Sequence, residues 1–190
     1  MDGETTKKNE DMEITVWKDS NADTLFRIMS HVWGLKNPPN VKKIYGSDDS
    51  IGEAERFVVL ATVPRSVAMQ LVTHRKKMGN YSWMSSGRPD LKYSLTTEYS
   101  RTQQVKIAMV FTPRGIIDMA HYRMCQKAEA PTRRFMDLLK LAVNDLDPYV
   151  AMYMMPMCAY RNGLCTMVHG CGNPKEYKDY VAPGRAGSQA

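Results

Sequence analysis

Apolar residues along this chain fall into short blocks whose spacing separates strands from helices. A run of β-branched and apolar residues at 57–63 predicts a buried strand, and the largely apolar segment 105–111 predicts a second one. Alternation at 93–99 predicts a further strand, and 12–17 predicts a short one. The chain therefore has the strands for a central sheet.

Apolar residues three and four positions apart predict amphipathic helices between these strands. Four such helices are expected, at residues 22–33, 65–75, 115–125 and 131–146. The polar stretch 76–89 is rich in Gly and Ser and predicts a loop. The methionine-rich segment 148–160 is expected mainly in the core, with a subunit interface as the alternative.

Strands that alternate with helices predict an α/β fold, with a central β-sheet flanked by helices. We expect a polar N-terminal arm over residues 1–20, a single α/β domain over 21–172 and a polar tail over 173–190. No apolar run approaches the roughly 18 residues of a membrane helix. The polar, acidic start does not match a signal peptide, so a cytoplasmic protein with reduced thiols is expected.

Charge adds one hint about ligands. The net charge of +6 suits an anionic partner such as a nucleotide or nucleic acid. The predicted helix 65–75 ends on His74 and Arg75, and the following loop carries Ser86, Gly87 and Arg88. Backbone N–H groups and a guanidinium in such a loop can bind a phosphate. Composition alone also allows a basic helix end that satisfies its own carbonyls.

Residues 57–133 resemble the flavin-dependent thymidylate synthases. That family has a strand F-x-F-x-V-x-x-P, then Q-x-x-R-H-R, then a loop N-E-x-S-x-R-Y. The chain matches these positions at Phe57, Pro64, Gln70, His74, Arg75 and Asn80, and Ser86-Gly87-Arg88 follow after two inserted residues. Further on, Arg114 and Arg123 match a family pair of arginines nine residues apart, and Ala128-Glu129 match the segment after them.

The chain also departs from the family at several places. Thr73 replaces the first arginine of R-H-R, Met84 replaces the acidic residue before the loop, and Thr112 replaces an asparagine near the flavin. The nucleotide positions are therefore kept better than those around the flavin and the folate. Whether the flavin site is still active stays open at this point.

The resemblance implies a role for each matched residue. Arg123 would face the pyrimidine ring and act in catalysis. The substrate-binding residues would be Gln70, Ser85, Ser86, Gly87, Arg88 and Arg123. The cofactor-binding residues would be His74, Arg75, Asn80 and Arg114.

The resemblance further implies flavin-dependent one-carbon transfer to C5 of a pyrimidine deoxynucleotide. Conversion of dUMP to dTMP is the leading expectation, with FAD as cofactor and with NADPH and methylenetetrahydrofolate as co-substrates. A uracil or a cytosine base, and a methyl or a hydroxymethyl product, both stay open. Family members are homotetramers whose sites combine residues of several subunits, so a homo-oligomer is expected.

Two other functions compete with this one. A non-catalytic nucleic-acid-binding protein would use a basic patch of Arg65, Arg75, Lys76, Lys77, Arg88 and the arginines at 133 and 134. A small metal-stabilised protein would use Cys158, Cys165, His169 and Cys171 as zinc ligands. The second pattern lacks the usual C-x2-C spacing, so unligated thiols are the favoured interpretation.

Overall fold

The computed structural model describes residues 3–19, 31, 36, 45, 55–73, 81–84 and 101–176. Within these residues, five strands form one sheet in the order β1-β2-β3-β5-β4, and every neighbouring pair is antiparallel. The strands are β1 (Glu4–Lys8), β2 (Glu13–Lys18), β3 (Phe57–Pro64), β4 (Tyr81–Met84) and β5 (Gln104–Phe111). The described helices are α1 (Arg65–Val72), α2 (Pro113–Arg123), α3 (Ala130–Leu146), α4 (Pro148–Tyr153) and α5 (Met157–Tyr160).

One face of the sheet carries the core. Alternate residues of β3, including Phe57 and Val59, are fully buried, and Val59 pairs with buried Met109 of β5. Val58 and Leu60 point to the opposite face, where Leu60 is 46% exposed. The buried side chains therefore line one face of the sheet.

The helices cover that face. α3 packs against β1 and β2, whereas α1 packs against β3, β5 and α3. The apolar stripe of α3 buries Phe135, Leu139 and Ala142 completely, at the spacing of one helix face. α2 packs against β5 and the three helices that follow it. The expected sheet flanked by helices is therefore confirmed, with antiparallel pairing throughout the described strands.

Several elements agree closely with their sequence patterns. The strands predicted at 57–63 and 105–111 and the helices predicted at 65–75, 115–125 and 131–146 correspond to β3, β5, α1, α2 and α3. In the methionine-rich segment Met154 and Met155 are buried, which favours its interpretation as core. The predicted helix 22–33, apart from helical His31, and the predicted strand 93–99 lie outside the described residues, as does the tail from 177 onward.

Within the predicted polar arm, the short strand expected at 12–17 is confirmed as β2, but residues 4–18 as a whole are part of the sheet rather than a solvated arm. They form a hairpin, β2 pairs with β3, and Met12, Ile14 and Val16 are buried. The sequence pattern did not predict β1, because this edge strand consists of Glu, Thr and Lys and has no apolar residue. Charged side chains on an edge strand also discourage pairing with other chains.

β4 lies inside the stretch predicted as a loop. Its four residues, YSWM, pair with β5 between Ile107 and Val110. The glycines and serines on both sides of it suggested a continuous loop, and a four-residue strand is too short for its alternation to stand out. Among the described helices none is long and apolar enough to cross a membrane.

Candidate functional site

The site lies where the C-terminal ends of α1 and α2 meet. β3 leads directly into α1 at Pro64, a residue that suits a helix start because its φ is fixed. β5 leads into α2 through Thr112, whose hydroxyl accepts a hydrogen bond from Gly115 N at 2.9 Å and caps the helix. β3 and β5 are antiparallel, so the two helices begin at opposite ends of the sheet.

A hydrogen-bonded group of side chains joins the two helix ends. Arg123 Nη2 donates to the backbone oxygen of Gln70 at 3.1 Å and to Thr73 Oγ1 at 3.0 Å. The Thr73 hydroxyl in turn donates to the same oxygen of Gln70 at 2.8 Å. Gln70 Nε2 lies 3.4 Å from Glu129 Oε1, just before α3. The structure therefore brings together Gln70 and Arg123, two residues that the resemblance assigns to the same ligand.

Arg123 is partly removed from water. Burial lowers its pKa, and the nearby charge of Glu129 opposes that shift. The guanidinium of an arginine does not lose its proton in proteins, so Arg123 stays charged despite this shift. Its Nε is buried and has no hydrogen-bond partner within the described part of the chain. A buried donor without a partner is costly.

A pocket of about 200 Å³ adjoins Arg123. One wall is the end of α2 and the turn after it, including Arg123, Cys125 and Lys127. The other wall comes from α5 and from residues 161–176, which we call the C-terminal coil. The contributions of that second wall are Met157, Cys158, Cys165, Thr166 and Met167.

Arg114, the candidate flavin ligand, lies at the other end of α2. Its Nε is 3.1 Å from Asp118 Oδ1, an ion pair within the helix. Nine residues separate Arg114 from Arg123, which in a regular helix means about 13 Å along the axis and roughly half a turn around it. The structure therefore does not bring the two arginines together within one chain.

Most of the other candidates lie outside the described residues. They are His74, Arg75, Asn80, Ser85, Ser86, Gly87 and Arg88. Their assignment to the flavin and to the nucleotide stays a prediction.

The zinc pattern in the C-terminal coil does not form a ligand group. Cys158, Cys165, His169 and Cys171 are all described, and the described residues contain no cluster of three or more His, Cys, Asp or Glu side chains that could hold a metal ion. All four cysteines have free thiols. Cys171 Sγ donates to Asn173 O at 3.4 Å, whereas Cys158 Sγ accepts from Lys175 N at 3.4 Å. Backbone contacts of this kind explain these two thiols without a metal.

The two described arginines of α3 give little support to the proposed nucleic-acid-binding patch. Arg133 Nη1 donates to the backbone oxygens of Gln126 and Ala128, so this guanidinium closes the turn before α3. Arg134 is more exposed and lies 3.8 Å from Asp11. Arg133 is therefore explained by local structure rather than by a phosphate contact.

Sequence reasoning missed three parts of this site. Thr73 stands out in the sequence only as a departure from the family, and Glu129 only as part of a matching segment. The contribution of Thr166 and Met167 to the pocket has no motif at all. The one signal for Thr73 is its place near the end of a predicted helix, where a hydroxyl can bond to the backbone of the preceding turn.

No family model matches the chain, and no curated protein matches it. Its structure is similar to the crystal structure of thymidylate synthase X (ThyX) from Helicobacter pylori with FAD and dUMP, at a TM-score of 0.55 and 10% sequence identity. The match covers 73% of this chain and 96% of the other. At that identity the comparison speaks to the fold, and the chain therefore has a mixed α/β fold of the ThyX type.

Proposed function

We propose that this chain catalyses flavin-dependent one-carbon transfer to C5 of a pyrimidine deoxynucleotide, with dUMP as substrate and methylenetetrahydrofolate as carbon donor. One observation carries the proposal. In a fold of the ThyX type, Arg123 donates a 3.1 Å hydrogen bond to the backbone oxygen of Gln70, a residue 53 positions earlier in the sequence. The same two residues match the nucleotide-binding positions of the family.

Arg123 would act on the pyrimidine ring. A guanidinium beside a ring carbonyl stabilises the negative charge that develops as C5 becomes nucleophilic. Its Nη2 is fixed by Gln70 and Thr73, and its Nε lacks a partner within the described part of the chain. A group that is already held in place loses little further freedom when the substrate binds.

FAD would be held by His74, Arg75, Asn80 and Arg114, as the resemblance implies. Arg114 lies in the first turn of α2, which contains no acidic residue, and its side chain is about one quarter exposed. A cationic side chain beside the positive end of a helix suits an anionic group such as a diphosphate. Bound reduced flavin supplies the reducing equivalents, while the residues of the chain bind and orient the reactants.

The test begins with the purified protein. We expect flavin absorbance, and dUMP-dependent oxidation of pre-reduced flavin when methylenetetrahydrofolate is present and NADPH is left out. Arg123→Lys keeps the charge but loses the planar pair of donors, so the rate should fall about 100- to 1,000-fold. Arg134→Lys is the matched control, because Arg134 is an exposed arginine of α3 that lies 3.8 Å from Asp11 and does not line the pocket.

A colourless protein that binds DNA with a steep dependence on salt would instead support the basic-patch function. Equal rates for the wild type and Arg123→Lys would remove Arg123 from the mechanism. Either result would overturn the proposal in its present form.

A further inference from the structure

We propose that the pocket beside Arg123 receives the ring of the substrate, and that Thr166 and Met167 of the C-terminal coil determine which ring fits. This inference rests on the proposed function, because it takes the ligand of Arg123 to be a pyrimidine nucleotide. It adds residues that lie outside the stretch 57–133 on which the resemblance stands.

The size of the pocket suits one ring rather than a whole nucleotide. Its volume is about 200 Å³. Sites for complete small molecules usually measure roughly 300–1,000 Å³. A pocket below that range suits one six-membered ring with its exocyclic atoms better than a ring together with its sugar and phosphate. The sugar and the phosphate would remain outside, toward α1.

The lining suits a flat ring whose edge carries carbonyl oxygens. Arg123 and Lys127 are cationic donors, Thr166 can donate or accept, and no Asp or Glu is among the described lining residues. The remaining walls are rich in sulfur, from Met157, Met167 and three cysteines. Sulfur packs well against aromatic rings and adapts to their shape. Two cationic donors on the first wall, and a second wall of sulfur atoms with one hydroxyl, therefore match a heterocycle.

Backbone geometry fixes the coil in this position. After α5, Asn162 and Gly163 both have positive φ, at 51° and 96°. Gly163 N donates to Cys158 O at 2.7 Å, which closes the helix end and turns the chain back. The turn carries Cys165, Thr166 and Met167 to the end of α2. The position of the second wall therefore follows from the backbone turn after α5.

Alkylation of the cysteines tests whether the ring enters the pocket. Cys125 and Cys165 line it and are half-buried, whereas half-buried Cys171 lies outside the lining and serves as an internal control. The flavin-loaded protein is treated with iodoacetamide, and each cysteine is followed by peptide mass spectrometry. With dUMP at about 100 times its Kd, Cys125 and Cys165 should react roughly tenfold or more slowly, and Cys171 at its original rate. Deoxyribose 5-phosphate, which lacks the ring, should protect neither pocket thiol.

A pair of neighbouring variants tests the wall itself. Met167→Trp fills the pocket and should weaken dUMP binding by about tenfold or more in calorimetry. Val168→Trp is the control, because Val168 is 92% exposed and does not line the pocket. The assignment of the pocket would be overturned if Met167→Trp bound dUMP normally and if dUMP did not protect Cys125 and Cys165 in the wild type. The proposed function would then still stand. Failure of the wild type to bind dUMP at all would overturn both.

Discussion

Thr73 stands where the resemblance places a family arginine, and in the structure it contacts Arg123 and Gln70 instead. Its hydroxyl accepts a hydrogen bond from Arg123 Nη2 at 3.0 Å and donates to Gln70 O at 2.8 Å. An arginine in its place would set a second guanidinium against Arg123 in a partly desolvated position. Thr73 instead gives Arg123 an acceptor, so we regard it as a positioning residue for the guanidinium.

Two variants of Thr73 separate this role from simple packing. Thr73→Val keeps the shape of the side chain but removes the hydroxyl, and should slow dUMP-dependent flavin oxidation by about tenfold, the effect of losing one hydrogen bond to a charged group. Thr73→Ser keeps the hydroxyl and should restore most of the rate. Melting temperatures measured beside the rates check that both variants fold. If valine and serine gave the same rate, Thr73 would not position Arg123.

At the scale of elements, a buried charge cluster joins the sheet to the helices. Lys18 at the end of β2 lies 2.8 Å from Asp147 and 3.0 Å from Glu55, and Tyr45 donates a hydrogen bond to Glu55. Asp147 also accepts from Tyr149 N and Val150 N, and so caps α4. Burial by itself would lower the pKa of Lys18, but the two carboxylates outweigh it and raise the pKa. One ammonium therefore compensates two buried acids.

Removing Lys18 should destabilise the fold strongly. Lys18→Met leaves Glu55 and Asp147 buried without their cation, a change that typically costs about 3–5 kcal/mol. The matched control is Lys7→Met, since Lys7 pairs with the more exposed Asp145, and surface pairs contribute only about 0–1 kcal/mol. Urea unfolding of both variants gives the two free energies. Similar losses for both would mean that the cluster contributes no more than a surface pair.

The elements that the sequence predicted are those whose apolar pattern faces the core. β3 and β5 are largely apolar, and α3 repeats its buried residues every three to four positions. β1 carries no such pattern, because its place in the sheet comes from backbone pairing with β2 and from Thr5 and Lys7, which contact Asp145 of α3. A strand held by backbone and surface contacts leaves little trace in local hydrophobicity.

The candidate site also has one part that the sequence indicated and one part that it did not. The resemblance assigns Gln70 and Arg123 to the same ligand, and the structure joins Arg123 to the backbone of Gln70, while their roles stay a prediction. The second wall of the pocket could not be predicted, because Thr166 and Met167 reach α2 through a turn after α5 and a tertiary contact. The zinc pattern fails for a different reason. Its four residues are close in the sequence, but they form no metal-binding cluster in the described part of the chain.

At the scale of the whole molecule, the position of Arg114 and Arg123 at opposite ends and on opposite sides of α2 bears on assembly. If one site uses both arginines, a second copy of the chain must supply one of them. We expect light scattering to show a species larger than 21.6 kDa. Mixing the inactive variants Arg114→Ala and Arg123→Ala should restore activity in about a quarter of the sites under random pairing. A monodisperse monomer whose variants do not complement would contradict a shared site.

The stability of the molecule should also fall at alkaline pH, because of the cluster around Lys18. Burial, then the charges of Asp147 and Glu55, raise the pKa of Tyr45 above its ordinary value of 10.0, and the pKa of Lys18 lies above 10.5. A group whose pKa is raised by folding contributes stability that is complete below its unfolded pKa and is lost as the pH rises toward its folded value. The free energy of unfolding should therefore decline above about pH 10.

Tyr45→Phe isolates the contribution of the phenol to that decline. The variant loses the hydrogen bond to Glu55 at every pH, so the informative quantity is how much stability each protein loses between pH 8 and pH 11. Since a phenylalanine ring cannot ionise in the unfolded chain, the variant should lose less than the wild type. Tyr149→Phe, at a half-exposed tyrosine of α4, should lose as much as the wild type. Urea unfolding at the two pH values gives all three differences, and equal losses for Tyr45→Phe and the wild type would show that the phenol is not linked to folding in this range.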